Sequence, residues 1–138
     1  MPPFKTTYQV SWVDTDAAQV VHFSNYFRIF EKAEEEMYAQ LGLSFDKIRQ
    51  KYDFWLPRVE ALCKFKAPAR FGDTLEVNLT VEEAMDKAVK YGFTIINKKS
   101  EQLIVEGYVV AVVADKKVGH AVNIPTELIE KLEVYKKP

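Results

Sequence analysis

The chain has 138 residues, 48% hydrophobic and 13% aromatic, which is the make-up of a globular chain and excludes a disordered one. Its formal net charge is −1 with 28% charged residues, so it lacks the basic excess of a nucleic-acid binder and of a polybasic membrane anchor. The single cysteine, Cys63, excludes an intramolecular disulfide and is compatible with a reducing compartment.

The opening MPPFKTTYQV has no apolar signal-peptide core, and the longest apolar run, Tyr108 to Ala114, is far short of a membrane span. A soluble cytoplasmic protein is expected. No repeat, low-complexity tract or linker divides the chain, so a single domain over residues 1–138 is expected. Tyr8, Val10 and Trp12 alternate with Gln9, Ser11 and Val13, which predicts a strand. From about Ser24 to Leu41 the period changes: Tyr26, Phe30, Ala33, Met37 and Leu41 mark one face of a long helix. Glu31, Lys32, Glu34, Glu35 and Glu36 fall mostly elsewhere on it, and Phe27 and Ile29 widen the apolar face. Gly42 suits its C-terminal cap, and Ser44 can cap a short second helix through about Lys51.

Strands follow. Around Pro57, which suits an edge or bend, Val59, Ala61, Cys63 and Phe65 are expected on the core side of a strand, with Arg58, Glu60, Lys64 and Lys66 opposite. After a turn at Phe71–Asp73, Leu75, Val77, Leu79 and Val81 alternate with polar residues, and Val89, Tyr91, Phe93 and Ile95 do the same. QLIVEGYVVAVVA is apolar on both faces, as a central strand would be. Pro125 suits the first turn of a last helix carrying Leu128, Ile129 and Leu132. The order predicts an α+β domain in which a curved antiparallel sheet wraps one long helix.

The chemistry gathers in SWVDTDAAQVVHFSNYF, Ser11 to Phe27, which holds Asp14, Asp16 and His22. A helix N-terminus leaves backbone N–H groups unpaired and carries partial positive charge, which suits a developing oxyanion. A carboxylate a short loop upstream can attack a carbonyl or activate water against it. The bare pattern also fits plain turn and capping roles. Ser24 and Asn25 read as helix caps and Cys63 as core. No G-x-S-x-G elbow supports a serine nucleophile. His22, His120 and Cys63 have no metal-ligand spacing, so no metal site is expected.

VDTDAAQVVHFSNYFRIFEKAEEE resembles the signature of the hotdog-fold acyl-CoA thioesterases of the 4-hydroxybenzoyl-CoA thioesterase family: D-x-D, small residues, two apolar residues, an aromatic or His pair, then N-Y and an acidic amphipathic helix. PRVEALCKFKAPARFGDTLEV, with Pro68, Ala69, Gly72 and Asp73 in its turn, and the ending IPTEL extend the resemblance over nearly the whole chain. The resemblance implies a long helix wrapped by a five- or six-stranded antiparallel sheet. It also implies a homodimer, often paired into a homotetramer, with acyl-CoA sites at the dimer interface. It places the catalytic carboxylate at Asp16 and the carbonyl-polarising backbone amide at about Phe23, with His22 beside it. Asp14 is expected to support the loop by accepting backbone hydrogen bonds.

Gln19 stands where the family usually has Gly. Its side chain would narrow the acyl entrance or offer an amide hydrogen bond to substrate or water. Gln19, Val20 and Tyr26 are therefore candidate acyl-binding residues. Lys64 and Arg70 are candidates for the CoA diphosphate among Lys66, Lys98, Lys99, Lys116 and Lys117. The expected activity is hydrolysis of acyl-CoA to a free acid and CoA, with no cofactor beyond the CoA of the substrate. A non-catalytic acyl-CoA or acyl-carrier binding module on the same fold is the alternative. A hotdog dehydratase ranks below both, because Glu31, Glu34 and Glu35 have no histidine near them other than His22.

Overall fold

Period-two alternation decides the sheet. In the computed structural model, which describes residues 2–138, Leu75, Val77, Leu79 and Val81 of β4 (Thr74–Met85) all face inward and are buried. Val89, Tyr91, Phe93 and Ile95 of β5 (Ala88–Asn97) do the same. With β1 (Phe4–Gln9), β3 (Arg58–Phe65) and β6 (Leu103–Val112) they form one antiparallel sheet in the order β1-β4-β5-β6-β3. The five strands satisfy the five- or six-stranded expectation. β6 lies inside the sheet, as its two apolar faces required.

The sheet wraps α1 (Asn25–Gln40). Tyr26, Phe30, Ala33 and Met37 are buried on it at helical spacing, and Ile29 and Tyr38 widen the stripe. Phe30 stacks on Phe93 at 4.4 Å between ring centroids, joining helix to sheet. Burying such a ring contributes roughly 2–3 kcal/mol. Gly42 ends the helix at φ +81°, a left-handed conformation that glycine adopts without steric cost. α2 (Phe45–Lys51) starts as expected, with the Ser44 hydroxyl accepting from the Lys47 N–H. α3 (Thr126–Leu132) seats Leu128 and Leu132 in the core. A small ribbon of β2 (Phe54–Trp55) and β7 (Ala114–Asp115), absent from the sequence expectation, closes the α2 end. Among the described residues no helix is long and apolar enough to cross a membrane.

Four local expectations are corrected. Trp12 leaves the strand pattern: β1 stops at Gln9, and Trp12–Asp14 form a 3-10 turn with the indole exposed. β3 is an edge strand, so Val59 and Phe65, expected in the core, are 62% and 53% exposed. A register shift between Arg58 and Glu60 turns Arg58 to the helix side, where alternation had placed it opposite. There it meets Glu34, which is buried at 2% exposure although helical spacing put it among the surface acids.

Candidate active site

The 3-10 turn brings Asp14 inward and sets Asp16 just beyond it. Asp14 is fully buried, and its carboxylate is committed on both oxygens. Oδ2 accepts from the Tyr8 hydroxyl at 2.7 Å and the Ser11 N–H at 2.9 Å, and Oδ1 accepts from Arg28 Nη2 at 2.7 Å. Its backbone carbonyl accepts from the His22 N–H and from Asn25 Nδ2. Asp14 thus ties β1, the loop and α1 together, the support role expected of it. Burial, then the bond to Asp14, pushes the Tyr8 hydroxyl up to about 12, so it stays a donor.

Asp16 is half-buried and closes a tight turn. Its N–H donates to the Val20 carbonyl, its carbonyl accepts from the Gln19 N–H, and Oδ1 accepts from the Ala18 N–H at 2.8 Å. The loop is then stitched to the Pro68–Asp73 turn by the Val21 N–H to Ala69 carbonyl bond and by the pairing of Val20 with Arg70. That second turn is held by Asp73 Oδ2, which accepts from the Arg70 N–H, and by Gly72 at φ +85°.

A cleft of about 430 Å³ opens between the two turns, lined by Trp12, Thr15, Asp16, Gln19, Arg70 and Phe71. That volume lies in the range of small-molecule sites. The Trp12 and Phe71 rings meet edge to face at 5.9 Å, and both are mostly exposed. Trp12, Thr15 and Phe71 were missed as site residues: local pattern gave Trp12 a strand role and Phe71 a turn role, and Thr15 carried no signal of its own.

The helix mouth lies at the other end of the same loop. The Asn25 N–H donates to the His22 carbonyl and the Tyr26 N–H to the Phe23 carbonyl. His22 Nδ1 lies 2.8 Å from Ser24 Oγ and accepts from the Ser24 N–H. The Phe23 N–H finds no acceptor among the described residues. The capping expectation is corrected: Ser24 makes no side-chain cap bond, and Asn25 reaches Asp14 and Arg28 instead. Phe23 is exposed, and its ring packs edge to face on Phe65 of β3 at 6.4 Å. His22, Phe23 and Val20 do not line the Asp16 cleft. Tyr26 is buried at 3% exposure against Phe65, and burial pushes its hydroxyl up to about 12.

The cationic candidates separate. Arg70 lines the Asp16 cleft, whereas Lys64 lines a larger hollow of about 710 Å³ on the sheet face turned away from α1. That hollow holds Glu76, Glu82, Glu106, Lys5 and Lys137 and no part of the Asp16 loop. Lys66 lies 3.8 Å from Glu106, and Lys116 sits over the Trp55 ring and donates to the Arg49 carbonyl. Among the described residues, no three His, Cys, Asp or Glu side chains gather to hold a metal ion.

The family profile described as the Thioesterase-like superfamily matches residues 10–132. A 1,4-dihydroxy-2-naphthoyl-CoA hydrolase of Synechocystis is 36% identical over 104 residues, 75% of each chain. A crystal structure of a 1,4-dihydroxy-2-naphthoyl-CoA thioesterase from Synechocystis superposes with a TM-score of 0.89, at 30% identity and 98% coverage of both chains. A gentisyl-coenzyme A thioesterase structure superposes at 0.81, with 28% identity, over 91% of this chain and 98% of that one.

Proposed function

This chain belongs to the thioesterase-like superfamily and is a thioester hydrolase, and from that premise we propose how it splits an acyl-CoA into a free acid and CoA. The observation that carries the reading is the division of labour between two acids one residue apart. Asp14 is spent on structure, while Asp16 has one carboxylate oxygen turned to no protein donor and lines a cleft. In the proposed reaction Asp16 attacks the thioester carbon or draws a proton from a water that does. The Phe23 N–H, next to the first turn of α1 and outside the lining of the Asp16 cleft, is the donor we assign to the negative charge that builds on the carbonyl oxygen, because it has no acceptor among the described residues. The His22 ring packs on the Phe23 ring and its Nδ1 braces Ser24. No cofactor enters beyond the CoA of the substrate.

Arg70 is the cation we assign to substrate binding, since Lys64 stands on the opposite sheet face. Val20 and Tyr26 back the loop and the helix mouth. The aromatic acyl groups of the two named relatives, together with the Trp12–Phe71 pair, favour an aromatic acyl group here.

A homodimer formed through β3 belongs to this reading. β3 is an unpaired edge carrying exposed Val59 and Phe65, and an open apolar edge invites a second strand. Phe65 touches Phe23, so a second copy on that edge would lie against the helix mouth. The test is thiol release from a panel of aromatic, short-chain and long-chain acyl-CoAs. Turnover fastest on aromatic substrates is expected. Measured binding with no thiol released from any substrate would replace this reading with that of an acyl-CoA binding module.

A further inference from the structure

Gln19 sits at φ +67°, in the left-handed region that non-glycine residues avoid. The turn imposes it. The bonds from the Asp16 N–H to the Val20 carbonyl and from the Gln19 N–H to the Asp16 carbonyl close a tight loop. Its last residue must reverse hand before the chain pairs again, with Thr15 bridging Val21. Glycine is the low-strain residue at such a corner, and Asn or Asp the next. Gln has neither the freedom of glycine nor a side chain short enough to bond its own backbone there. The strain is therefore retained beside a reactive carboxylate, a placement that points to use of the side chain.

The surroundings say what that use is. Gln19 and Asp16 line the same cleft. Asp16 Oδ1 is held by the Ala18 N–H, and its other oxygen has no protein donor among the described residues. Gln19 is exposed, and its carboxamide takes part in no side-chain hydrogen bond among the described residues. Two polar groups with free capacity thus share one small space.

We infer that Gln19 is a positioning residue that, together with Asp16, holds the hydrolytic water. This rests on the thioesterase reading and deepens it toward the water route. One water hydrogen is donated to Asp16 and the other to Gln19 Oε1, which turns the lone-pair side of the water oxygen toward the thioester carbon. The water oxygen bonds to that carbon as its proton passes to Asp16. The tetrahedral adduct then expels the CoA thiolate, and the thiolate takes the proton from Asp16. A free acid and a thiol leave, and both protein groups return to their starting states. Arg70, the other charged group lining the cleft, is left for the substrate.

The test compares wild type, Gln19→Gly and Gln19→Asn for thermal midpoint and for kcat and KM of thiol release on the best acyl-CoA of the panel. Gln19→Gly is expected to melt higher while kcat falls at least tenfold and KM stays within about twofold. Gln19→Asn, which tolerates the backbone but has a shorter reach, is expected to lose kcat without a change in KM. A wild-type kcat in Gln19→Gly overturns the inference and leaves the thioesterase reading intact. No thiol release by the wild type overturns both. A single turnover in ¹⁸O-water supplies an independent arm: label found in the Asp16 carboxyl would show direct attack and overturn the water route.

Discussion

Arg58 of β3 reaches across to Glu34 of α1, placing Nη2 2.9 Å from Oε2, with Glu34 2% and Arg58 32% exposed at the side chain. The pair fastens the open edge strand to the central helix beside the buried Tyr38–Tyr91 hydroxyl contact. Removing one partner strands a buried charge, so Arg58→Ala is expected to cost about 3 kcal/mol in urea unfolding. Replacing both by apolar residues, Glu34→Leu with Arg58→Met, is expected to leave stability no lower than wild type. Equal losses in both variants would mean that packing matters here and charge does not.

The same carboxylate sets a pH dependence. Burial holds the Glu34 carboxyl above its ordinary value, with Arg58 pulling the other way. The folded chain keeps that proton at a pH where the unfolded chain has released it. Stability from this group therefore falls as pH rises from the ordinary value of 4.5 through the raised one. Glu34→Gln should remove that slope, so urea midpoints of wild type and variant should converge toward low pH and part above the window. Parallel curves across that range would refute it.

The two acids of the loop should fail in opposite ways. Asp14→Asn loses charge-assisted bonds to Arg28, Tyr8 and the Ser11 N–H, and a loss of about 2 kcal/mol in stability is expected. Asp16→Asn keeps the amide oxygen that the Ala18 N–H needs, so its stability should stay within about 0.5 kcal/mol. Its turnover is expected to fall about 100-fold or more. Full activity in a folded Asp16→Asn would sink its assignment.

The β3 edge makes a prediction about assembly. Ala61 is exposed at the middle of that strand, where a charge would have to be buried by any strand pairing across it. Ala61→Asp is expected to sediment as a monomer under conditions where the wild type is a dimer, and to lose thiol release with it. A wild type that sediments only as a monomer at assay concentrations would remove the dimer from the proposal.

Cys63 bears on the assay itself. Burial pushes its thiol up to about 11, so the reactive thiolate is scarce near neutral pH. The folded protein should react slowly with a thiol reagent and release one equivalent only in denaturant, leaving CoA as the fast signal. A rapid equivalent from the native protein would contradict this environment.

Much was legible in the sequence because it is local. Period-two alternation in β4 and β5 and helical spacing from Tyr26 to Met37 state which side of each element is apolar, and burial followed them. The support role of Asp14 followed from its residue type and its place in a loop, whereas the reactive role of Asp16 came from the family resemblance and stays a proposal. Other features needed the folded chain, because they join residues far apart in sequence. Sheet order made β3 an edge, which exposes Val59 and Phe65 although their alternation is that of core residues. One register shift reversed Arg58 and so gave the buried Glu34 its partner, 24 positions away. The meeting of the Asp16 turn with the Arg70 turn brought Trp12 and Phe71 to the cleft and left Lys64 on the opposite sheet face. Local pattern determines what a residue can bury, whereas strand order and register decide what it meets, because one residue of slip changes the face of every side chain beyond it.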